Sequence, residues 1–359
     1  MEVVGGNKIS AVVVNWNGRT YLAECLDSLL EQQPPPAEIL VVDNHSDDGS
    51  AAFVTERYPE VRVIDTGRNG GPGLARNVGV AAAREERVLL VDNDVVLQPG
   101  ALSSLGCSLE EHPDAGMIQA RSLCHDDPEI VHYDAADLHY LGLMILHNWF
   151  RPRADATRPT GPVGCGVALC MLTTKEHVAA VGGFNEDLFF FYEDADFAWK
   201  LRILGFTVWL DPDALVLHRG GTAGLSMRGA GAAVPPRRTY YHSRNRWLIL
   251  LTCLRWRSLL LLLPAQLLYS AVHFCFAVSC GHTWPWIKGK LGLLRMLPRI
   301  PGWRRPIQAA RRMRDRDLLC CAPLTLNPGI AEAGMKAALR RSLDRVFYLH
   351  WRMVRRLCG

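Results

Sequence analysis

The sequence predicts an α/β fold built on a Rossmann-like, mainly parallel sheet and followed by a basic helical region. Two observations carry the first part. Short β-branched apolar runs alternate with stretches of helical composition through the first hundred residues, and polar residues stand at the carboxyl ends of the runs. A third observation carries the second part, because the charge changes sign along the chain. Up to Pro235 there are 17 Lys+Arg against 32 Asp+Glu, a net −15, and from Pro236 onward 23 against 4, a net +19, giving the formal +4 of all 359 residues. Two domains are expected, 1-235 and 236-359.

The first four strands are read at Ile9–Val14, Glu38–Val42, Val61–Ile64 and Val88–Val91, runs without clear alternation, as expected of strands covered on both faces. Between them Tyr21–Gln32, Ser50–Arg57 and Pro72–Arg84 read as right-handed crossover helices. Pro34-Pro35-Pro36 ends the first helix, and Asp47-Asp48-Gly49 turns into the second. Asn15, Asp43, Asp65 and Asp92 fall where strands end, the edge at which such sheets bind ligands, although Asp there also serves as a plain helix cap. Residues 121–162 read as a loop. Their His125, Asp126, Asp127, His132, Asp134, Asp137 and His139 have the chemistry of metal ligands but not the spacing of a standard site. Regular structure resumes with a strand at Val163–Leu172, a helix from about Thr174, the turn Gly182-Gly183, an acidic helix from Glu193 and an apolar strand at Thr207–Leu210.

In the basic region, Trp247–Ser279 is mostly Leu, Ile, Val and aromatic, bracketed by Arg244, Arg246, Lys288 and Lys290. Cations interleaved with apolar side chains suit a membrane surface, and no nucleic-acid module is present. Arg255 and Arg257 interrupt the segment 247-279 and Pro264 divides it, leaving halves shorter than the roughly 20 residues of a spanning helix. It is expected to re-enter the membrane or lie in its interface. Stretches 304–317 and 335–357 read as helices, the second with Leu339, Leu343, Val346, Phe347, Val354 and Leu357 on one face amid arginines. Eleven cysteines without a CxxC pair, and a beginning without the pattern of a signal peptide, lead to an expected location at the cytoplasmic face of the cell membrane.

Two acidic clusters and one glycine-rich turn carry the chemistry. Glu193, Asp194 and Asp196 lie among aromatic residues, where desolvation and mutual repulsion raise the proton affinity of a carboxylate. Asp92-Asn93-Asp94 offers two carboxylates from one strand end, which suits a divalent cation bridging a diphosphate. The turn GGPGLARNVG at 70–79 opens a helix toward an anion, but it has neither the Gly-Lys-Ser/Thr of a P-loop nor the third glycine of a dinucleotide site.

Together VVVNWNG at 12–18, VVDNHSDDGS at 41–50, GGPGLARNVG, VDND at 91–94 and GGFNEDLFFFYEDADFAWKLRILGF at 182–206 resemble the successive motifs of family-2 inverting glycosyltransferases of the GT-A fold, in particular the rhamnosyltransferase-like branch. The resemblance implies a nucleotide-sugar donor, dTDP-rhamnose or a UDP-sugar, a lipid-linked or polysaccharide acceptor, and Mg2+ or Mn2+. It implies that Asp43 binds the base, with Asn15 and Asn17 lining that end of the pocket and Arg76 near base or diphosphate. Asp92 and Asp94 match the family's acidic pair: Asp94 is expected to hold the metal and Asp92, beside Asn93, to meet the ribose or the metal shell. Asp194 matches the general base, Glu193 stands beside it, and His218 falls where relatives complete the metal shell. Asn185 and Lys200 depart from the usual Asp and Arg. A sugar nucleotidyltransferase would need a Gly-rich, basic loop after the first strand, of which Asn15-Trp16-Asn17-Gly18-Arg19 is a poor version, and the intact acidic motifs speak against a non-catalytic binding protein.

Overall fold

In the computed structural model, which describes residues 8–220, 234–325 and 334–359, the chain divides into two units. The first holds the residues up to Ala135 with His147–Leu201 and Phe206–Arg219; the second holds Ala136–Leu146, Arg202–Gly205 and the residues from Gly220 on. The division near 219 precedes the charge boundary at 235, and a short segment from mid-chain joins the second unit.

The chain begins with β1 (Ile9–Asn15), α1 (Arg19–Leu30), β2 (Glu38–Asp43), α2 (Ser50–Arg57), β3 (Arg62–Asp65), α3 (Gly71–Ala82) and β4 (Arg87–Asp92). These strands pair in parallel in the order β3-β2-β1-β4. All seven residues of β1 are buried, as its unbroken apolar run requires. Leu22, Leu26 and Leu29 of α1 pack with Val13, Val41 and Leu89 of the sheet into the core. Next come β5 (Val95–Leu97), α4 (Ala101–Glu111), β6 (Ala115–Cys124), β7 (Ile130–Tyr133), β8 (Ala136–His139), β9 (Leu143–Leu146), β10 (Arg151–Pro152), β11 (Cys170–Thr174), α5 (Lys175–Ala180), α6 (Glu193–Ile203) and β12 (Thr207–His218). β12 runs parallel to β6, whereas β11 is antiparallel to β4 and β6, β7 to β6, and β5 to β12. The sheet is therefore mixed, and parallel through β1–β4.

Residues 121–162 are not one loop, since they finish β6 and supply β7 to β10. β6 is hard to read because Gln119, Arg121 and Ser122 interrupt its apolar pattern, yet all three are buried. Arg121 is accommodated by a two-pronged bond to Asp134 of 3.0 and 2.9 Å, which offsets the desolvation of both charges. Conversely, the expected strand at 163–172 begins only at Cys170.

In the second unit β8 and β9 form an antiparallel hairpin, and α7 (Pro236–Cys253), α8 (Trp256–Ser279), α9 (Thr283–Met296), α10 (Ile300–Ala309), α11 (Asp315–Leu318) and α12 (Gly334–Val354) follow. The hairpin is built into this unit through Tyr140, which is wholly buried, stacks 5.0 Å from Trp351 and donates its hydroxyl to the Phe347 carbonyl at 3.0 Å. Pro264 does not divide the apolar segment as expected. The break falls at Leu254–Arg255, and α8 continues through Pro264, which lies on its exposed face, for 24 residues. Proline removes a single helical hydrogen bond, and an outward-facing ring leaves the packed face undisturbed. α8 is the one helix among the described residues long and apolar enough to cross a membrane by length and composition. On α12, Phe347 is turned inward at 2% exposed, whereas Leu339 and Val346 are exposed, as is Leu357 just beyond its end.

The glycine-rich turn fixes the path of a distant loop. Gly71 has φ +81°, and a Cβ there would lie 2.0 Å from the carbonyl oxygen of Phe189. Gly67, at φ +70°, has nothing within 4 Å of such a Cβ. Gly67→Ala should therefore cost about 1–2 kcal/mol for the left-handed backbone. Gly71→Ala should cost about 1–3 kcal/mol more, the scale of overpacking, because backbone has to move. Urea denaturation of the two variants measures the difference, and equal costs would show that the Phe189 loop yields freely.

Candidate active site

The carboxyl ends of β1, β2 and β4 meet through short polar bonds. Asn15 donates to Asp43 at 2.6 Å and accepts from Asn93 at 2.6 Å. Asp43 also accepts from the backbone N–H and the hydroxyl of Ser46, at 2.8 and 2.6 Å. Asn17, exposed and at φ 49°, accepts from the Asp47 N–H at 3.0 Å, so the first two motifs are laced together. Asn15, Asn17, Asp43 and Asn93 thus form one network.

The second network centres on Arg76 of α3, only 3% exposed. Its guanidinium donates to Asp92 at 2.9 Å, to Glu193 at 3.3 Å and to the Ala168 carbonyl at 2.9 Å, with the Phe184 ring 5.4 Å away. One turn of the same helix supplies Asn77, whose amide clamps Phe184 by bonds of 2.8 and 2.9 Å. The chain then enters α6 through Phe189, Phe191 and Tyr192 at φ 61°, 68° and 84°. Non-glycine residues held there cost about 1–3 kcal/mol each, and such strain persists only where the surroundings over-determine it.

That strained entry delivers Glu193 and Asp194. Burial, then the Asp194 charge, push the Glu193 carboxyl up to about 7 against the pull of Arg76. Burial also raises Asp194, again opposed by Arg76. The two differ in access: Glu193 is buried, whereas Asp194 is half-buried.

A third group joins Asp94 to the end of β12. His218 Nε2 lies 3.4 Å from Asp94 Oδ2, and its Nδ1 lies 2.8 Å from Nδ1 of His132. Burial would lower the His218 pKa, but the Asp94 carboxylate overcomes it and the net shift is upward. Burial and the His218 charge take His132 down to about 3. His218 thus lies between the Asp94 carboxylate on one nitrogen and the His132 ring on the other. A carboxylate oxygen and an imidazole nitrogen converging in this way fit a divalent cation, which would take the place of the His218 proton. No group of three His, Cys, Asp or Glu side chains gathers around a metal position among the described residues. Diphosphate oxygens and water would have to supply the other ligands, as is usual for hard divalent ions on substrate phosphates.

The side chains to which the resemblance assigns a donor, metal or base role fall in or directly beside these three groups. Arg76 differs in role from expectation: it is buried against carboxylates rather than presented to a base or diphosphate. Asp92 is turned to Arg76 and Asp94 to His218, so the acidic pair diverges. His132 was legible only as one of seven scattered ligand-type residues, and the Ala168 carbonyl carried no signal at all. The two departures are internal: Asn185 accepts from the Asp187 N–H at 3.1 Å, and buried Lys200 pairs with Asp196 at 2.5 Å.

Residues 10–170 match the model of Glycosyl transferase family 2. Over 233 residues the chain is 29% identical to N-acetylglucosaminyl-diphospho-decaprenol L-rhamnosyltransferase of Mycobacterium tuberculosis strain H37Rv, spanning 58% of this chain and 75% of that one. Over 256 residues it is 26% identical to dTDP-rhamnosyl transferase RfbF of Shigella flexneri, spanning 68% and 80%. Among solved structures, S. aureus TarS 1-349 matches with a TM-score of 0.50 at 20% identity over 84% of this chain and 87% of that one. GalNAc-T7, crystallised with UDP, GalNAc and Mn2+, matches with a TM-score of 0.51 at 15% identity over 68% and 48%. The structural matches define a GT-A-like α/β fold with a mixed sheet. Over residues 10–170 the chain is thus similar to family-2 glycosyltransferases, and two of the relatives it resembles are rhamnosyltransferases.

Removing Arg76 would strand Glu193 and Asp92 without their cation. Arg76→Met should therefore lose about 3–5 kcal/mol of stability, the usual cost of breaking a buried ion pair from one side. Arg76→Lys should recover only part of it, because one ammonium cannot bridge three acceptors as a planar fork does. Chemical denaturation of both variants measures this, and wild-type stability in Arg76→Met would refute the bridging role.

Proposed function

We propose that this protein is an inverting glycosyltransferase of cell-envelope glycan synthesis. It moves a sugar from a nucleotide-diphosphate donor, dTDP-rhamnose or a UDP-sugar, to a lipid-linked or polysaccharide acceptor, with Mg2+ or Mn2+ at Asp94 and His218. The names of the relatives support the donor and acceptor classes, since one refers to a diphospho-decaprenol and another to a dTDP-rhamnosyl group. The observation that carries the mechanism is the contrast between neighbouring carboxylates. Glu193 is buried and held by Arg76, whereas Asp194 has a raised proton affinity and is open to an incoming hydroxyl.

In this reading Asp43, oriented by Asn15 and Ser46, accepts a hydrogen bond from the pyrimidine base, with Asn17 and Asn93 closing that end of the pocket. Asp92 is fixed by Arg76 while a third of its side chain stays exposed, so it can meet the ribose or the metal shell. The metal, when bound, neutralises charge on the departing nucleotide diphosphate. Asp194 takes the proton of the acceptor hydroxyl as its oxygen attacks the anomeric carbon opposite the leaving group, and one in-line displacement inverts the configuration. Burial raises the proton affinity of Asp194, and Glu193 beside it is kept in position by Arg76.

The second unit attaches the enzyme to the cytoplasmic face of the membrane in the same proposal, the front domain 1-235 carrying the transfer chemistry and the back 236-359 the attachment. Support comes from α8, where Leu262, Ala265 and Gln266 are buried while Leu260 is 71% and Leu267 56% exposed. A helix packed along one face and apolar along the other suits an in-plane position at the interface.

Asp194→Asn should lower kcat by at least about 10²-fold with little change in donor affinity. A base works only when deprotonated, so wild-type kcat should fall as pH drops through the Asp194 pKa, which burial raises above the ordinary value of about 4. Stopped assays from pH 5 to pH 9 test both points, and an acidic limb near 4 would remove Asp194 as the base.

Asp94→Asn should abolish the strengthening of UDP or dTDP binding by Mn2+ while leaving the metal-free affinity nearly intact. Calorimetric titration with and without Mn2+ reads this directly. Equal Mn2+ enhancement in the variant would sink the metal assignment.

A further inference from the structure

The helices α7, α8 and α9 hold a cationic cluster that the transfer chemistry does not use. Residues 236–296 contain nine Lys and Arg and no Asp or Glu. At the centre is Arg246, 2% exposed, donating to the Leu141 carbonyl at 2.7 Å, to Gln266 at 2.5 Å and to the Ser270 hydroxyl at 2.8 Å, all neutral acceptors. Its guanidinium lies 5.1 Å from the Trp247 ring, and the Lys290 ammonium lies 5.7 Å from the same ring. Two cations therefore share one aromatic ring. His242 and His273 follow at 4.4 Å between ring centres, joined to the cluster through Tyr269, whose ring is 4.7 Å from Arg246 and whose hydroxyl is 3.1 Å from His242 Nε2.

The cluster also reaches the surface at its rim. His242, Trp247, Tyr269, Ser270, His273 and Lys290 are half-exposed around the buried arginine. Trp286 donates its indole N–H to His273 Nδ1 at 3.1 Å. That bond leaves the proton of the neutral ring on Nε2, so His273 has a donor to offer. Lys290 is driven down to about 7, by burial first and then by Arg246. A nearby anion reverses both effects. Exposed Leu267 and Leu268 of α8 directly precede Tyr269 and Ser270, so apolar surface borders the cationic one.

We propose that this cluster is a binding site for the phosphate or diphosphate headgroup of an anionic lipid, whose chains lie against the exposed leucines of α8. Concentrated cations draw an anion, donors at several angles match phosphate oxygens, and the adjoining apolar face selects a lipid over a free ion. The source of such a headgroup is either the lipid-linked acceptor, which rests on the function proposed above, or a bulk phospholipid, which does not.

Farnesyl diphosphate is a suitable probe, titrated by calorimetry into the full chain in a neutral detergent. The double variant Lys290→Gln/His273→Gln should bind it at least about 10-fold more weakly with an unchanged Tm, and Lys288→Gln, an exposed charge on the same helix, should bind as wild type. Farnesol should bind far more weakly than the diphosphate. Competition by inorganic pyrophosphate and not by phosphatidylglycerol vesicles supports the site with a diphosphate lipid as its source. Competition by the vesicles supports it with phospholipid as its source. Undiminished binding by the double variant, or an equal loss in Lys288→Gln, overturns the proposal. Failure of sugar transfer with intact farnesyl diphosphate binding would overturn the proposed function and leave this site standing.

Discussion

A buried guanidinium is the constraint on which the front unit depends. Arg76 comes from a helix opened by the glycine-rich turn, and its partners come from the end of β4, from Ala168 before β11 and from the first turn of α6. An arginine removed from water has to be met by acceptors, and a buried carboxylate such as Glu193 has to be met by a cation. Each element is therefore held where the others need it. The strained entry to α6 is bearable for the same reason: Arg76, Asn77 and the close approach at Gly71 all fix that loop from α3.

The two units treat buried charge differently, and the difference follows composition. In the acidic front, cations are rare and each is shared out among carboxylates, as Arg76 and Arg121 are. In the basic back, acids are rare, so Arg246 and Arg304 spend their donors on carbonyls, an amide and a hydroxyl, and lean on aromatic rings. Neutral acceptors satisfy hydrogen bonds but leave the charge itself less compensated. A region built this way favours an anionic environment over water.

The four parallel strands were legible as short apolar runs set between stretches of helical composition, and the acidic motifs because several stood in order. What was hidden depends on tertiary pairing. β6 looks like no strand until Asp134 answers Arg121, and His132 joins the site only because β7 pairs with β6 and β12 lies on β6's other edge. Pro264 misled because the sequence shows the missing donor but not which way the ring faces. The Arg76 bridge was likewise invisible as a role, since a buried and a ligand-binding arginine are written with the same letter.

The β8–β9 hairpin bears on how this chain can be divided. Its Leu138 and Leu141 are buried beside Tyr140, its backbone exchanges hydrogen bonds with Cys320, and the Leu141 carbonyl receives Arg246. Cutting the chain after the front unit would leave eleven residues, Ala136–Leu146, with an apolar surface and several backbone groups deprived of their cover. Separation therefore needs an edit in the middle as well as one at the back, with a short polar turn joining Ala135 to His147. The same interleaving means that recombination between related genes at the charge boundary would exchange the helices but not the hairpin built into them, so the two pieces are inherited as one or must be refitted together.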